Sequence, residues 1–381
     1  MKFSFQTCVI VLFASLIGVA SCKKLDDEPE PGRAALISRL YISFQDYQPN
    51  NSSIKNLFIV DPADTNSLDN IYQYLSPAKG GGPVIFDPNA KSIFQASAGT
   101  VAQDTFIRQI ALDDVYGIPG NASAIGYRGF SNVRGLAYYS YAQQNGTSGS
   151  AVTNFLLAVT GGNMLYAVSR PEGKGGAGGS KIIDKQISLG DINPSSLTLL
   201  KGNPDDKNEK WLLVGFNDEG TNKRSGFAVY KGLKQQLIDK VRDTIVNSNA
   251  FPPAVKVYVK GKTGLRAVSY APNKKLLAVT AGTEILFFNN PDGLFNGSGE
   301  KEIDADYAVG GSNTGLEQIG GVAIDDRTEN GKFFYVSDSK NGKVVRFKLT
   351  DQGNATPEMT KNYGTLTPNY IFLDARERTN F

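Results

Sequence analysis

"GGVAIDDRTENGKFFYVSDSKNGKVVRFKLTDQG", Gly320 to Gly353, decides the fold. It carries three short runs rich in β-branched and aromatic residues, "GVAI", "KFFYVSD" and "KVVRFKL", parted by polar turns. Runs of this length and composition read as strands. Asn341-Gly342 is a two-residue hairpin signal, because the tight hairpin turn needs positive φ at its centre and these residues adopt it cheaply. "DRTENGK" is the equivalent turn one hairpin earlier. The stretch is therefore predicted to be strand, turn, strand, turn, strand.

The same frame recurs upstream. From Gly135 the chain reads "GLAYYSY", a loop, then "NFLLAVTGGNMLYAVSRPEG"; from Gly264 it reads "GLRAVSYAPNKKLLAVTAGTEILFFNNPDG". Weaker copies begin at Pro83 and Ser195. The first-strand anchors Val84, Leu136, Leu197, Leu265 and Val322 are spaced by 52, 61, 68 and 57 residues. Repeats of this kind predict a β-propeller, in which each four-stranded blade buries its faces against its neighbours. After the fifth copy one strand remains, "NYIFLD" at Asn369 to Asp374, and the chain's first strands "RLYISF", "KNLFIVDP" and "NIYQYL" have no innermost partner of their own. One C-terminal strand and three N-terminal ones make a sixth blade that closes the ring and removes two exposed edges. The expectation is an all-β, six-bladed propeller over residues 37–381, with seven blades as the alternative if the longest spacing hides a short one. That interval also holds "LKQQLIDKVRDTIV", whose Leu233, Leu237, Ile238, Val241 and Ile245 share one helical face. It predicts a helical insertion at 232–247; the alternative is that "DKVRDTIV" is an outer strand.

Composition narrows the chemistry. The chain has 381 residues, 41 glycines, 21 phenylalanines and 17 tyrosines, and a net charge of +3. That near balance gives no electrostatic argument for nucleic acid. There is no histidine, and the two cysteines, Cys8 and Cys22, both lie near the N-terminus. Histidine-based triads, imidazole ligands and thiolate sites are thus excluded from the body of the chain. Catalysis there would rest on carboxylates, Lys, Tyr, Ser or an oxygen-ligated ion.

Residues 1–21 have the parts of a secretory signal: Lys2, the apolar run "CVIVLFASLIGVA" from Cys8 to Ala20, and small residues before Cys22. The run is too short to span a bilayer comfortably, which takes about 20 residues. "VASC" resembles the lipobox of bacterial lipoproteins, which implies cleavage before Cys22 and lipidation of its sulfur. "CKKLDDEPEPG" resembles the start of Bacteroidota lipoproteins, in which such charge accompanies export to the outer face of the outer membrane. Charged and Pro-rich, residues 22–36 are predicted to be the lipidated cysteine and a solvated tether.

Loops entering each innermost strand would line one mouth of the central channel. They bring forward Asn132, Arg134, Lys262, Thr263, Glu317, Gln318 and Asn369, with Arg266 one step inside its strand. Arg134 and Arg266 suit a carboxylate or another anion. "IGGVAIDDRTENGKFFYVSDSKNGKVVRFKL" resembles blades of NHL, gluconolactonase and TolB-like propellers. In the lactonases a carboxylate at the place of Asp338 helps to bind a divalent metal; Ile319-Gly320 stands where that family carries an asparagine, a departure that speaks against the metal site. Calcium needs only oxygen ligands, and "DPADTNSLDN" (Asp61 to Asn70) and "NPDDKNE" (Asn203 to Glu209) are oxygen-rich, though neither has EF-hand spacing.

The functional expectation is a lipid-anchored binding or scaffold module at the cell surface. It would serve an outer-membrane protein complex, of the type built on a TonB-dependent transporter, or a glycan, with no cofactor. The alternative is a carboxylate- or metal-dependent propeller enzyme: a glycoside hydrolase, a lyase or a lactonase. Clustered carboxylates at the channel would favour the enzyme, exposed aromatic platforms a glycan, and an apolar patch a protein partner.

Overall fold

Alternation with period two explains the architecture. In the second strand of blade 6, Phe334 and Val336 face one neighbouring blade while Tyr335 faces the other. Strands buried on both faces read as continuous apolar runs, as "FFYV" and "LLAV" do. A computed structural model describes residues 36–48, 54–69, 71–99, 102–113, 116–144, 150–173, 183–202, 209–218, 223–238 and 244–377. Cys22, the tether, most of "NPDDKNE" and the expected signal segment lie outside them.

Six sheets form a six-bladed propeller. Blade 1 joins the C-terminal Pro368–Arg376 to Ile37–Phe44, Leu57–Val60 and Ile71–Tyr74, in that order from the centre outward. The ring is closed by strands from both ends of the chain, as the sequence predicts. Blade 2 runs from Gly81–Asp87 to Pro119–Gly126, blade 3 from Val133–Gln144 to Lys185–Ser188, and blade 4 from Pro194–Leu200 to Val255–Val259. Blade 5 runs from Leu265–Ala271 to Tyr307–Val309, and blade 6 from Ile319–Ile324 to Met359–Asn362. Neighbouring strands within these four-stranded meanders are antiparallel.

Six apolar clusters fill the seams, one between each pair of adjacent blades. The seam between blades 1 and 6 packs Leu40, Ile42 and Phe44 against Ala323, Tyr335 and Val344. Residues 36–377 form one compact unit.

The segment expected to be a helix over 232–247 divides in two. Leu233–Ile238 is helical, with Leu233 and Leu237 buried. Thr244–Val246 is instead a strand, pairing parallel to Lys185–Ser188 on the outer edge of blade 3. Its β-branched residues suit a pleated edge, and Ile245 is exposed while Val246 is buried. Gly299–Ile303 pairs likewise with Val255–Val259 of blade 4. Both added strands cover an edge that would otherwise be open.

Candidate functional site

The six inner strands surround a central cavity of about 230 Å³. Each contributes an apolar wall residue: Val84, Leu136, Leu197, Val268, Val322 and Ile371. Four of these are the sequence anchors. Leu265, the fifth anchor, is buried in the seam between blades 4 and 5.

Register shifts supply the polar character of one mouth. At its start, every inner strand slips by one residue against the second strand of its blade. The skipped positions are Gly82 and Pro83 in blade 2, Arg134 in blade 3 and Ser195 in blade 4. In blade 5 they are Arg266 and Ala267, in blade 6 Gly320, and in blade 1 Asn369. A bulge residue leaves the ladder, and its side chain is re-aimed. The repeat thus places one bulge position per blade around the entrance, and arginine occupies two of the six.

Arg134 Nη1 donates to Asn193 Oδ1 at 2.5 Å and to the Pro194 carbonyl at 2.9 Å. Arg266 Nη2 donates to Asn369 Oδ1, and its guanidinium carbon lies 5.9 Å from the Tyr370 ring centre. That reach runs from blade 5 to blade 1, past blade 6. Gly320 leaves room for the backbone of the acceptor residue: a Cβ there would lie 2.1 Å from the Asn369 carbonyl oxygen. Gly161 does the same for Arg134, since a Cβ there would lie 2.9 Å from Arg134 Nη2. Burial pushes the Tyr370 phenol upward, and the nearby charges of Arg266 and Arg134 oppose that shift. The phenol is neutral and feels both guanidinium groups. The hydrogen-bond partners of the two arginines here are neutral oxygens.

Near the opposite end stand Tyr270 and Asp326. Asp326 Oδ1 accepts from the main-chain N–H of Asn273 at 2.8 Å and of Lys274 at 3.2 Å. Burial raises its pKa, opposed by those two hydrogen bonds. Tyr270 donates to Asp292 at 2.8 Å, and burial, reinforced by that carboxylate, raises its pKa. Asp326 is the one acid among the described residues lining the cavity.

Of the charged candidates Arg134, Arg266, Glu317 and Asp338, the structure brings Arg134 and Arg266 together in the cavity lining. Glu317 and Asp338 stand apart from the lining. Glu317 is exposed and pairs with Lys340 at 2.5 Å. Asp338 is fully buried and accepts five hydrogen bonds, from the main-chain N–H of Glu317, Gln318, Lys340 and Asn341 and from Asn341 Nδ2. That geometry is a turn cap. Lys262 pairs with Glu284. In the segment from Asp61 to Asn70, Asp61, Asp64 and Asp69 pair with Arg39, Arg327 and Lys361. No cluster of three acidic or other metal-ligating side chains occurs among the described residues, and none of their helices is long and apolar enough to cross a membrane. Tyr139 is buried, and Tyr138 bonds Glu172 from within a strand, so these two tyrosines belong to the blade wall and form no exposed aromatic platform.

The fold and site together define a six-bladed propeller whose channel entrance carries two bulge-mounted arginines. No protein-family model and no curated protein matches the chain.

Proposed function

We propose that this chain is a lipid-anchored binding module displayed at the outer membrane, holding a ligand at the channel entrance and serving an outer-membrane protein assembly. The observation that carries the binding role is the pair Arg134 and Arg266, set on equivalent bulges of blades 3 and 5 at the entrance of the central cavity. Rigid donors converging on a concave site are the ordinary equipment of ligand recognition. A glycoside hydrolase would call for two carboxyl groups about 5–10 Å apart, whereas the described lining offers Asp326. The anchor rests on "VASC" and the charged residues behind Cys22. Exposed Tyr72, Leu75, Tyr116 and Ile118, from blades 1 and 2, add apolar surface of the kind a protein partner covers.

Membrane fractionation tests the anchor, and affinity capture tests the assembly. The parent chain is expected in the outer-membrane fraction, and Cys22→Ser is expected to lose lipidation and leave it. Captured from solubilised membranes with its anchor intact, the parent is expected to bring an integral outer-membrane protein with it. A Cys22→Ser chain that stays membrane-bound to the same extent refutes the anchor. A parent that emerges alone and monomeric refutes the assembly.

A further inference from the structure

We infer that the channel entrance is a binding site for a small oxyanion, a carboxylate or phosphate group held between Arg134 and Arg266. The inference rests on the ligand-holding role proposed above and names the chemistry of that ligand. Each guanidinium carries five N–H donors. Arg134 is seen to direct Nη1 to Asn193 and Pro194, and Arg266 to direct Nη2 to Asn369. These acceptors are neutral, so both positive charges keep their reach, and the remaining donors can serve a ligand. Arg134 and Arg266 stand on equivalent bulges of blades 3 and 5 and line the same cavity, together with Tyr370, which places both charges at its entrance.

Two half-buried cations without a carboxylate repel each other at a cost that a bound anion removes. Arginine is the side chain whose planar fork fits carboxylate and phosphate oxygens in pairs. The rest of the cavity sets orientation and size. Its wall mixes apolar side chains with Ser196, Thr198 and Ser269, and Asp326 stands towards the far end. An anion is therefore drawn to the arginine end and repelled from the other. A volume of about 230 Å³ lies below the roughly 300–1,000 Å³ of common ligand pockets. It suits a small anion.

Titration calorimetry on the lipidated chain, purified in non-ionic detergent, tests this with inorganic phosphate and with succinate in separate arms. One of the two is expected to saturate a single site with Kd below about 1 mM. The arm that binds tells a tetrahedral from a planar head. Arg134→Gln and Arg266→Gln are each expected to weaken binding about 10- to 100-fold, the loss of one charge-assisted hydrogen bond. Arg266→Lys keeps the charge and is expected to retain more affinity than Arg266→Gln. Should a glutamine variant fail to fold, the lysine variants at both positions and the fall of parental affinity with added salt carry the test. Binding of neither anion overturns the inference, as does unchanged affinity in folded variants of both arginines. Capture of a membrane partner with no heat from either anion leaves the binding module standing and removes the oxyanion. Anion binding without a captured partner does the reverse to the assembly.

Discussion

Arg327 donates through Nε to Asp325 Oδ1 at 2.9 Å and through Nη2 to Asp325 Oδ2 at 2.6 Å, and Nη2 also reaches Asp64 at 2.5 Å. Its own side chain is 1% exposed, and that of Asp325 is 0% exposed. A charge so placed is tolerated because its partners take the place of water. Removing the arginine alone leaves Asp325 buried and unpaired, at a cost of about 3–5 kcal/mol. Arg327→Met is expected to lower the urea midpoint accordingly, and the double variant Arg327→Met/Asp325→Leu to recover a good part of it. A single variant within about 0.5 kcal/mol of the parent, the range of an ordinary surface change, refutes this account. At this scale the sequence was partly legible. Arg134 and Arg266 were identifiable because they adjoin the first apolar run of their repeats. Asp338 was ambiguous, since an aspartate ending a strand reads equally as ligand or cap; the five donors around it decide. Tyr370 carries no mark of its own, because a tyrosine inside "NYIFLD" looks like any β-former.

Strands were the most legible elements and bulges the least. Hairpin signals such as Asn341-Gly342 mark turns plainly, whereas a bulge changes register by one residue without changing the apolar pattern on either side. For that reason nothing in the sequence marks Arg134 and Arg266 as bulge residues. The 232–247 segment misled through periodicity: Leu233 and Leu237 do share a buried face, but Thr244–Val246 obeys the edge of blade 3. Glycines at the inner strands carry some of the close approaches. A Cβ on Gly320 would meet the Asn369 carbonyl oxygen at 2.1 Å, whereas one on Gly120 would find its nearest neighbour at 3.6 Å. Gly320→Ala is expected to cost about 1–3 kcal/mol or more, as overpacking does, and Gly120→Ala less than about 0.5 kcal/mol. Thermal unfolding of the two variants side by side checks it; equal effects would mean that the seam between blades 6 and 1 yields freely.

Closure of the whole ring was readable because the repeat count leaves one strand over at one end and three at the other. What the sequence hid is how the closing blade is clamped. The loop after Leu57–Val60 is gripped from blade 6: Arg346 donates to the carbonyls of Ala63 at 2.8 Å and Thr65 at 2.5 Å, and Arg327 holds Asp64. Contacts separated by more than 260 residues in sequence have no local signature. From the other side Pro368–Arg376 pairs with Ile37–Phe44 along its length, and Ile371 enters the seam with blade 6. A propeller with an open seam exposes two apolar blade faces, so the strand and the clamp should act as one cooperative unit. A chain ending at Gly364 keeps Arg327, Arg346 and the 61–65 loop but lacks the inner strand of blade 1. It is expected to lose the single sharp unfolding transition of the parent and to aggregate. A synthetic peptide of residues 366–377, added in excess, is expected to restore the transition, with a midpoint that rises with peptide concentration by mass action. If the shortened chain unfolds as sharply and at the same temperature as the parent, the clamp alone closes the ring and the C-terminal strand is dispensable.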